Sequence, residues 1–176
     1  KQGLYMLRRT QQTYLPILLS SLLAGCTPVA TDSLYPGRSA VLPVVVDSSV
    51  TLVADDNERA VPLKIFYPEQ GGPYPLIVLS HGTFSSIDRY DLIAQYWAEQ
   101  GYVVILPQHI DANYGVQPTD YAVMQNVAMT RAADMSLVLD EIATIEAKVP
   151  ALAGKIGHGN YVAAGHSIGT QVAMLV

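Results

Sequence analysis

The chain has 176 residues, half of them apolar and 14% charged, with a formal net charge of −5 and one cysteine. So large an apolar share with so little charge excludes a disordered or coiled-coil chain, and the acidic balance speaks against a nucleic-acid partner, which calls for basic surface. One cysteine excludes a disulfide framework and a thiolate zinc site; with no histidine cluster at metal-ligand spacing and no glycine-rich phosphate loop, no metal or cofactor is expected.

Residues 1–26 read as an address rather than as structure. From Met6 the chain carries Arg8 and Arg9, a short apolar stretch from Tyr14 to Leu23, then Ala24, Gly25 and Cys26. A basic start, a short apolar core and small residues define a secretory signal. The stretch is well short of the roughly 20 residues a membrane helix needs. Leu23-Ala24-Gly25-Cys26 resembles the lipobox of bacterial lipoproteins. That resemblance implies lipidation of Cys26, several acyl chains, stable anchoring to a membrane and a place in the bacterial cell envelope, on the periplasmic side. Residues 1–26 hold Lys1, Arg8 and Arg9 and no acid, so the remainder keeps 7 basic and 15 acidic residues, a net of −8. Residues 27–40, with Pro28, Pro36 and Gly37, read as a linker.

The folded part is expected over residues 41–176. Leu42–Val46 and Val50–Val53 are mostly β-branched and apolar, and Asp55-Asp56-Asn57-Glu58 is a turn cluster. Val61–Tyr67 follows, which predicts an antiparallel hairpin. Pro75–Leu79 is a continuous apolar run, the mark of a strand buried on both faces. A helix is predicted near 87–100, with Leu92, Ile93, Tyr96 and Trp97 on one face and Gly101 as its C′ cap. Tyr102–Leu106 is a second buried strand. Residues 108–118 read as a polar loop with His109 and Asp111. A long helical pattern then runs from about Met124 to Ile145, capped by Thr119 or Asp120 and broken near Met129. Pro150–Asn160 reads as a loop, Tyr161–Ala164 as a third buried strand, and Gln171–Val176 as a helix. Such alternation implies an α/β fold: a mostly parallel sheet with helices on both faces and an N-terminal antiparallel hairpin.

Chemistry in open α/β sheets sits beyond the carboxyl ends of the strands, and two motifs fall there. Gly165-His166-Ser167-Ile168-Gly169 matches G-x-S-x-G, a nucleophile elbow. A sharp strand-to-helix turn is needed to project the Ser167 hydroxyl, and glycines remove the side chains that would clash in it. The competing structural reading is a tight turn with a capping serine. Ser80-His81-Gly82-Thr83-Phe84 follows the Pro75–Leu79 strand. Acyl transfer needs two N–H donors aimed at the oxyanion, expected here from Ile168, after the nucleophile, and from Thr83 in this loop. His81 is expected to hold the loop by hydrogen bonds rather than to act as a base.

The runs YPLIVLSHGTFSS, IAQYWAEQGYVVILPQH, RAADMSLVLDEI and YVAAGHSIGTQVA together resemble the α/β-hydrolase superfamily. They are most similar to its dienelactone-hydrolase-like and platelet-activating-factor-acetylhydrolase-like serine esterases. The resemblance covers about residues 44–176. It implies an α/β-hydrolase fold and a carboxylic ester hydrolase acting on a small-molecule or lipid ester, with Ser167 as nucleophile and Thr83 and Ile168 as the oxyanion hole. Serine at 167 argues against a true dienelactone hydrolase, and Thr170 stands where these families often carry glycine. Their triad acid and base follow the serine along the chain. Nine residues follow Ser167 and none is Asp, Glu or His. The acid and base are therefore expected beyond residue 176, with 41–176 the N-terminal portion of the domain, the last strands missing, and this stretch alone nearly inactive.

The other candidates are weaker. His109 and Asp111 lie on the active-site edge, where they either meet substrate or belong to a solvated loop. A further reading makes His109 an unusual base. His166 is expected to pack locally. The alternative to an esterase is a catalytically inactive fragment, or an envelope lipoprotein that only binds a ligand.

Overall fold

A computed structural model describes residues 41–54, 58–112 and 121–176. The expected leader, Cys26, the linker, the Asp55-Asp56-Asn57 turn and the Thr119 and Asp120 caps lie outside the described residues.

The strands are β1 (Val44–Asp47), β2 (Thr51–Ala54), β3 (Arg59–Pro68), β4 (Tyr74–Ser80), β5 (Val103–Pro107) and β6 (Ile156–Gly165). The helices are α1 (Asp91–Glu99), α2 (Tyr121–Asp140), α3 (Ile142–Lys148) and α4 (Ile168–Ala173). The main sheet runs β1-β3-β5-β4-β6, and β2 pairs with β3. The expected hairpin is β2–β3, in register Thr51↔Pro62 to Ala54↔Arg59. The far half of β3 pairs antiparallel with both β1 and β5. From β5 the sheet becomes parallel: β4 lies between β5 and β6, parallel to each.

The alternation of β4 and β5 shows why their sequences are continuously apolar. Leu76, Val78, Val103 and Ile105 point to one face, into a core with Met135 and Val138 of α2, Ile142 and Ile145 of α3, and Val172 of α4. Ile77, Leu79, Val104 and Leu106 point to the other, against Ala94 and Ala98 of α1. Strands buried on both faces have no solvent side to mark with polar residues.

Three expectations are corrected. The buried face of α1 is Ala94 and Ala98, not Leu92, Ile93 and Tyr96, which are exposed. Two alanines let the helix lie close on the sheet, and bulk at those positions would hold it off. The C′ cap stands: Gly101 has φ 90°, its N–H donates to Ala98 O, and the Tyr102 N–H donates to Trp97 O, a Schellman motif. The long helix does not break near Met129. It is interrupted at Glu141 (φ −102°, ψ 20°), which turns Ile142 and Ile145 onto the core. Finally, β6 begins at Ile156, five residues before the expected strand. Gly157, Gly159 and Asn160 make that stretch read as loop, and a register irregularity against β4 between Tyr74 and Leu76 accommodates it.

Candidate active site

The parallel strands β4, β5 and β6 end together, and each delivers part of the site. β6 leads through Gly165 and His166 to Ser167, and α4 starts at the next residue. Ser167 has φ 55° and ψ −122°, a conformation a non-glycine residue holds only when its surroundings impose it. Those surroundings are visible. A Cβ on Gly165 would collide with the Gly169 carbonyl, and a Cβ on Gly169 with the Ser80 carbonyl. The His166 N–H donates to Ser80 O at 3.1 Å, fastening the turn to β4. Thr170, the departure from the family pattern, donates its hydroxyl to Gly165 O at 3.0 Å, so it closes the turn instead of loosening it. Ser167 is exposed.

β4 leads into the loop His81–Phe84, which is held from three sides. Tyr90 Oη accepts the Gly82 N–H at 2.8 Å, and Asp111 Oδ2 accepts the Phe84 N–H at 3.2 Å. Arg131 of α2 donates to the carbonyls of His81 (2.5 Å) and Gly82 (3.2 Å). It also pairs two-pronged with Asp111 at 2.8 and 2.6 Å. Arg131 and Asp111 are fully buried. Burial alone would raise the Asp111 carboxyl, but the Arg131 guanidinium outweighs it and holds it below the usual carboxylate range. Phe84 is itself at φ 56°, so the loop is a constrained piece of backbone, not a slack one. Among the described residues, neither the Thr83 nor the Ile168 N–H has an acceptor, although those of Gly82, Phe84 and Gly169 do. Thr83 and His166 line an open cleft of about 540 Å³ with Phe84, Ser85, Ser86, Arg89 and Tyr90.

Beneath the cleft lies a second chain of polar groups. Ser80 Oγ meets His109 Nε2 at 2.9 Å, and His109 Nδ1 meets Asp134 Oδ2 at 2.8 Å. Arg59 donates to Asp134 Oδ1 at 2.6 Å. The connectivity is that of a catalytic triad, but Ser80 and Asp134 are fully buried and His109 is 2% exposed. No substrate reaches a hydroxyl so enclosed. The proton pattern is fixed by the partners: His109 Nδ1–H donates to the Asp134 carboxylate, and Nε2 then accepts from the Ser80 hydroxyl. His81 completes the layer. Its Nε2 accepts the His109 N–H at 3.2 Å, and its Nδ1–H donates to Gly82 O at 2.8 Å. Burial, with the neighbouring His109 ring, pushes His81 down to about 4; burial also lowers His109, against the pull of Asp134. Both histidines are neutral at physiological pH.

His109 and Asp111 are therefore neither a solvated loop nor substrate contacts. They are buried supports, and with both ring nitrogens occupied His109 is not a base for Ser167. His166 does more than pack locally: it lines the cleft and meets Tyr90. Arg131 and Asp134 were missed, although a signal existed. They fall on the core-facing stripe of α2 with Val127, Met135 and Val138, and charged residues at such positions point to a buried paired network.

A parallel sheet flanked by helices, with a strained serine at a strand-to-helix turn, defines the α/β-hydrolase fold. Solved structures share it. A cold-adapted esterase from an Arctic intertidal metagenomic library aligns with a TM-score of 0.52 at 20% identity, over 72% of this chain and 53% of its own. A ferulic acid esterase from Streptomyces cinnamoneus aligns with a TM-score of 0.50 at 19% identity, over 75% and 52%. The chlorophyllase family model matches residues 30–176: this chain belongs to the chlorophyllase family. The expected resemblance to α/β-hydrolase esterases is supported at that level. A curated relative, chlorophyllase type 0 of Chenopodium album, is 38% identical over 47 residues, 27% of this chain and 14% of the relative. The chain thus spans about half the length of the two esterases and a small part of the plant enzyme.

Proposed function

We propose that this protein is a serine hydrolase that cleaves carboxylic esters of small molecules or lipids. Ser167 Oγ attacks the ester carbonyl carbon, and the Thr83 and Ile168 N–H groups receive the resulting oxyanion. Collapse of that intermediate expels the alcohol and leaves an acyl-Ser167, which water cleaves to the acid and free serine. The observation that carries this reading is a combination: an exposed serine at positive φ, with two unengaged N–H groups beside it on the elbow and the facing loop. A general base is still required. His81 and His109 are buried with both nitrogens engaged and do not serve Ser167 as base, so the acid and base are assigned to the part of the fold that this chain does not span, about half of each of the two esterases. For the leader the support is sequence alone: the lipobox-like ending places a lipid anchor on Cys26 and the enzyme in the cell envelope. In the full-length protein, Ser167→Ala is expected to lower hydrolysis of p-nitrophenyl esters by about 10³-fold or more with unfolding unchanged. Wild-type rates in that variant would remove Ser167 from the mechanism.

A further inference from the structure

One side chain spans the elbow and the facing loop. Tyr90 ends the 3-10 turn Ile87–Tyr90 and stands at the start of α1. Its hydroxyl accepts the Gly82 N–H at 2.8 Å and lies 3.0 Å from His166 Nδ1. A hydroxyl that accepts from one N–H keeps its own proton and a second lone pair, so Tyr90 can bond His166 Nδ1 in either tautomer of the ring. The bridge connects the residue before Thr83 to the residue before Ser167. There is no slack in it. A Cβ on Gly82 would stand 2.9 Å from His166 Nδ1 and 3.2 Å from Tyr90 Oη. The tyrosine is itself anchored. Asp88 and Asp91 on either side both bind Lys64 of β3, at 2.8 and 2.9 Å, and the Ile87 N–H donates to Gln108 Oε1 at 3.0 Å.

We propose that Tyr90 is a positioning residue whose hydroxyl sets the separation of the two oxyanion donors, Thr83 N–H and Ile168 N–H, by tying Gly82, next to Thr83, to His166, two residues before Ile168. Arg131 and Asp111 fix the loop to α2 from below, but neither touches the elbow. Tyr90 is the described side chain that bonds to both. It holds the hole open at the right width before substrate arrives, which is where electrostatic preorganisation acts. This inference rests on the esterase reading and adds to it a residue that makes neither the nucleophile nor the hole.

The test is a double-mutant cycle on ester hydrolysis by the full-length protein, with Tyr90→Phe, His166→Ala and both changes together. Loss of one oxyanion donor costs about 10²–10³ in kcat, so misplacing one is expected to cost about 10- to 100-fold. Tyr90→Phe should show that fall in kcat with KM within about threefold, His166→Ala a similar fall, and the double variant little more than either. Unchanged kcat in Tyr90→Phe overturns the proposal, as do losses that multiply. So does a rise in KM alone, which makes Tyr90 a substrate contact. If Tyr90→Phe fails to fold, His166→Ala carries the same test by its kcat and KM. Failure of the esterase reading shows differently: the wild-type protein then hydrolyses no ester, or does so unchanged in Ser167→Ala.

Discussion

The sharpest structural prediction concerns Arg131, the largest fully buried side chain among the described residues. Arg131→Met removes the guanidinium but leaves the Asp111 carboxylate in the core, with only the Phe84 N–H of the bonds described above. It also strips the His81 carbonyl of its guanidinium donor. Removing one member of a buried pair costs about 3–5 kcal/mol, because the remaining charge is uncompensated. With a urea m-value of about 2 kcal/mol per molar, that lowers the denaturation midpoint by about 2 M. Asp111→Asn makes the converse break. If the two groups act as the pair the structure shows, the losses do not add. Arg131→Met with Asp111→Asn should be less destabilised than the sum of the singles by about 2 kcal/mol, toward the upper end for groups in contact. The assay is urea denaturation of all four proteins, followed by far-UV circular dichroism. Additivity within about 0.5 kcal/mol, or a loss under about 1 kcal/mol in Arg131→Met, would refute the clamp.

Two further predictions concern acid and the leader. His81 titrates near 4 in the folded chain against 6.5 for a free histidine, so the unfolded chain takes up the proton first. Its contribution is whole above about 6.5 and drains away as pH falls to about 4. The full loss is about 3 kcal/mol, with buried His109 acting in the same direction. Urea midpoints should fall steadily from pH 7 to 4.5 and fall less in His81→Asn; a flat wild-type profile contradicts this. In a bacterial host, labelled palmitate should enter the wild-type protein and be absent from Cys26→Ser, while equal labelling of both would rule out the anchor.

What was legible in the sequence follows from what makes a local pattern. β4 and β5 stand out because a strand covered on both faces has no polar side, and the elbow stands out because its geometry tolerates only glycine at 165 and 169. The loop after β4 was legible in part: its role in supplying Thr83 is expected from its place in the fold. Its supports are not local. Asp111, Arg131 and Tyr90 come from three separate elements, and only the packing of α1 and α2 on opposite faces brings them to one loop. The face of α1 was misread because apolar periodicity weighs Leu92 and Tyr96 above Ala94 and Ala98, whereas close packing on a sheet selects for smallness. The buried Ser80–His109–Asp134 chain carries a related lesson. Residue types and bonding order alone would make it a triad, and burial decides that it is a support.

The central claim is that Ser167 is the nucleophile, and a fluorophosphonate probe tests it most directly. Applied to the full-length protein, the probe should leave a single adduct that peptide mass spectrometry locates on Ser167. The adduct should vanish in Ser167→Ala and persist in Ser80→Ala, since Ser80 is sealed in the core. An adduct on another residue, or none on a folded protein, would contradict the account.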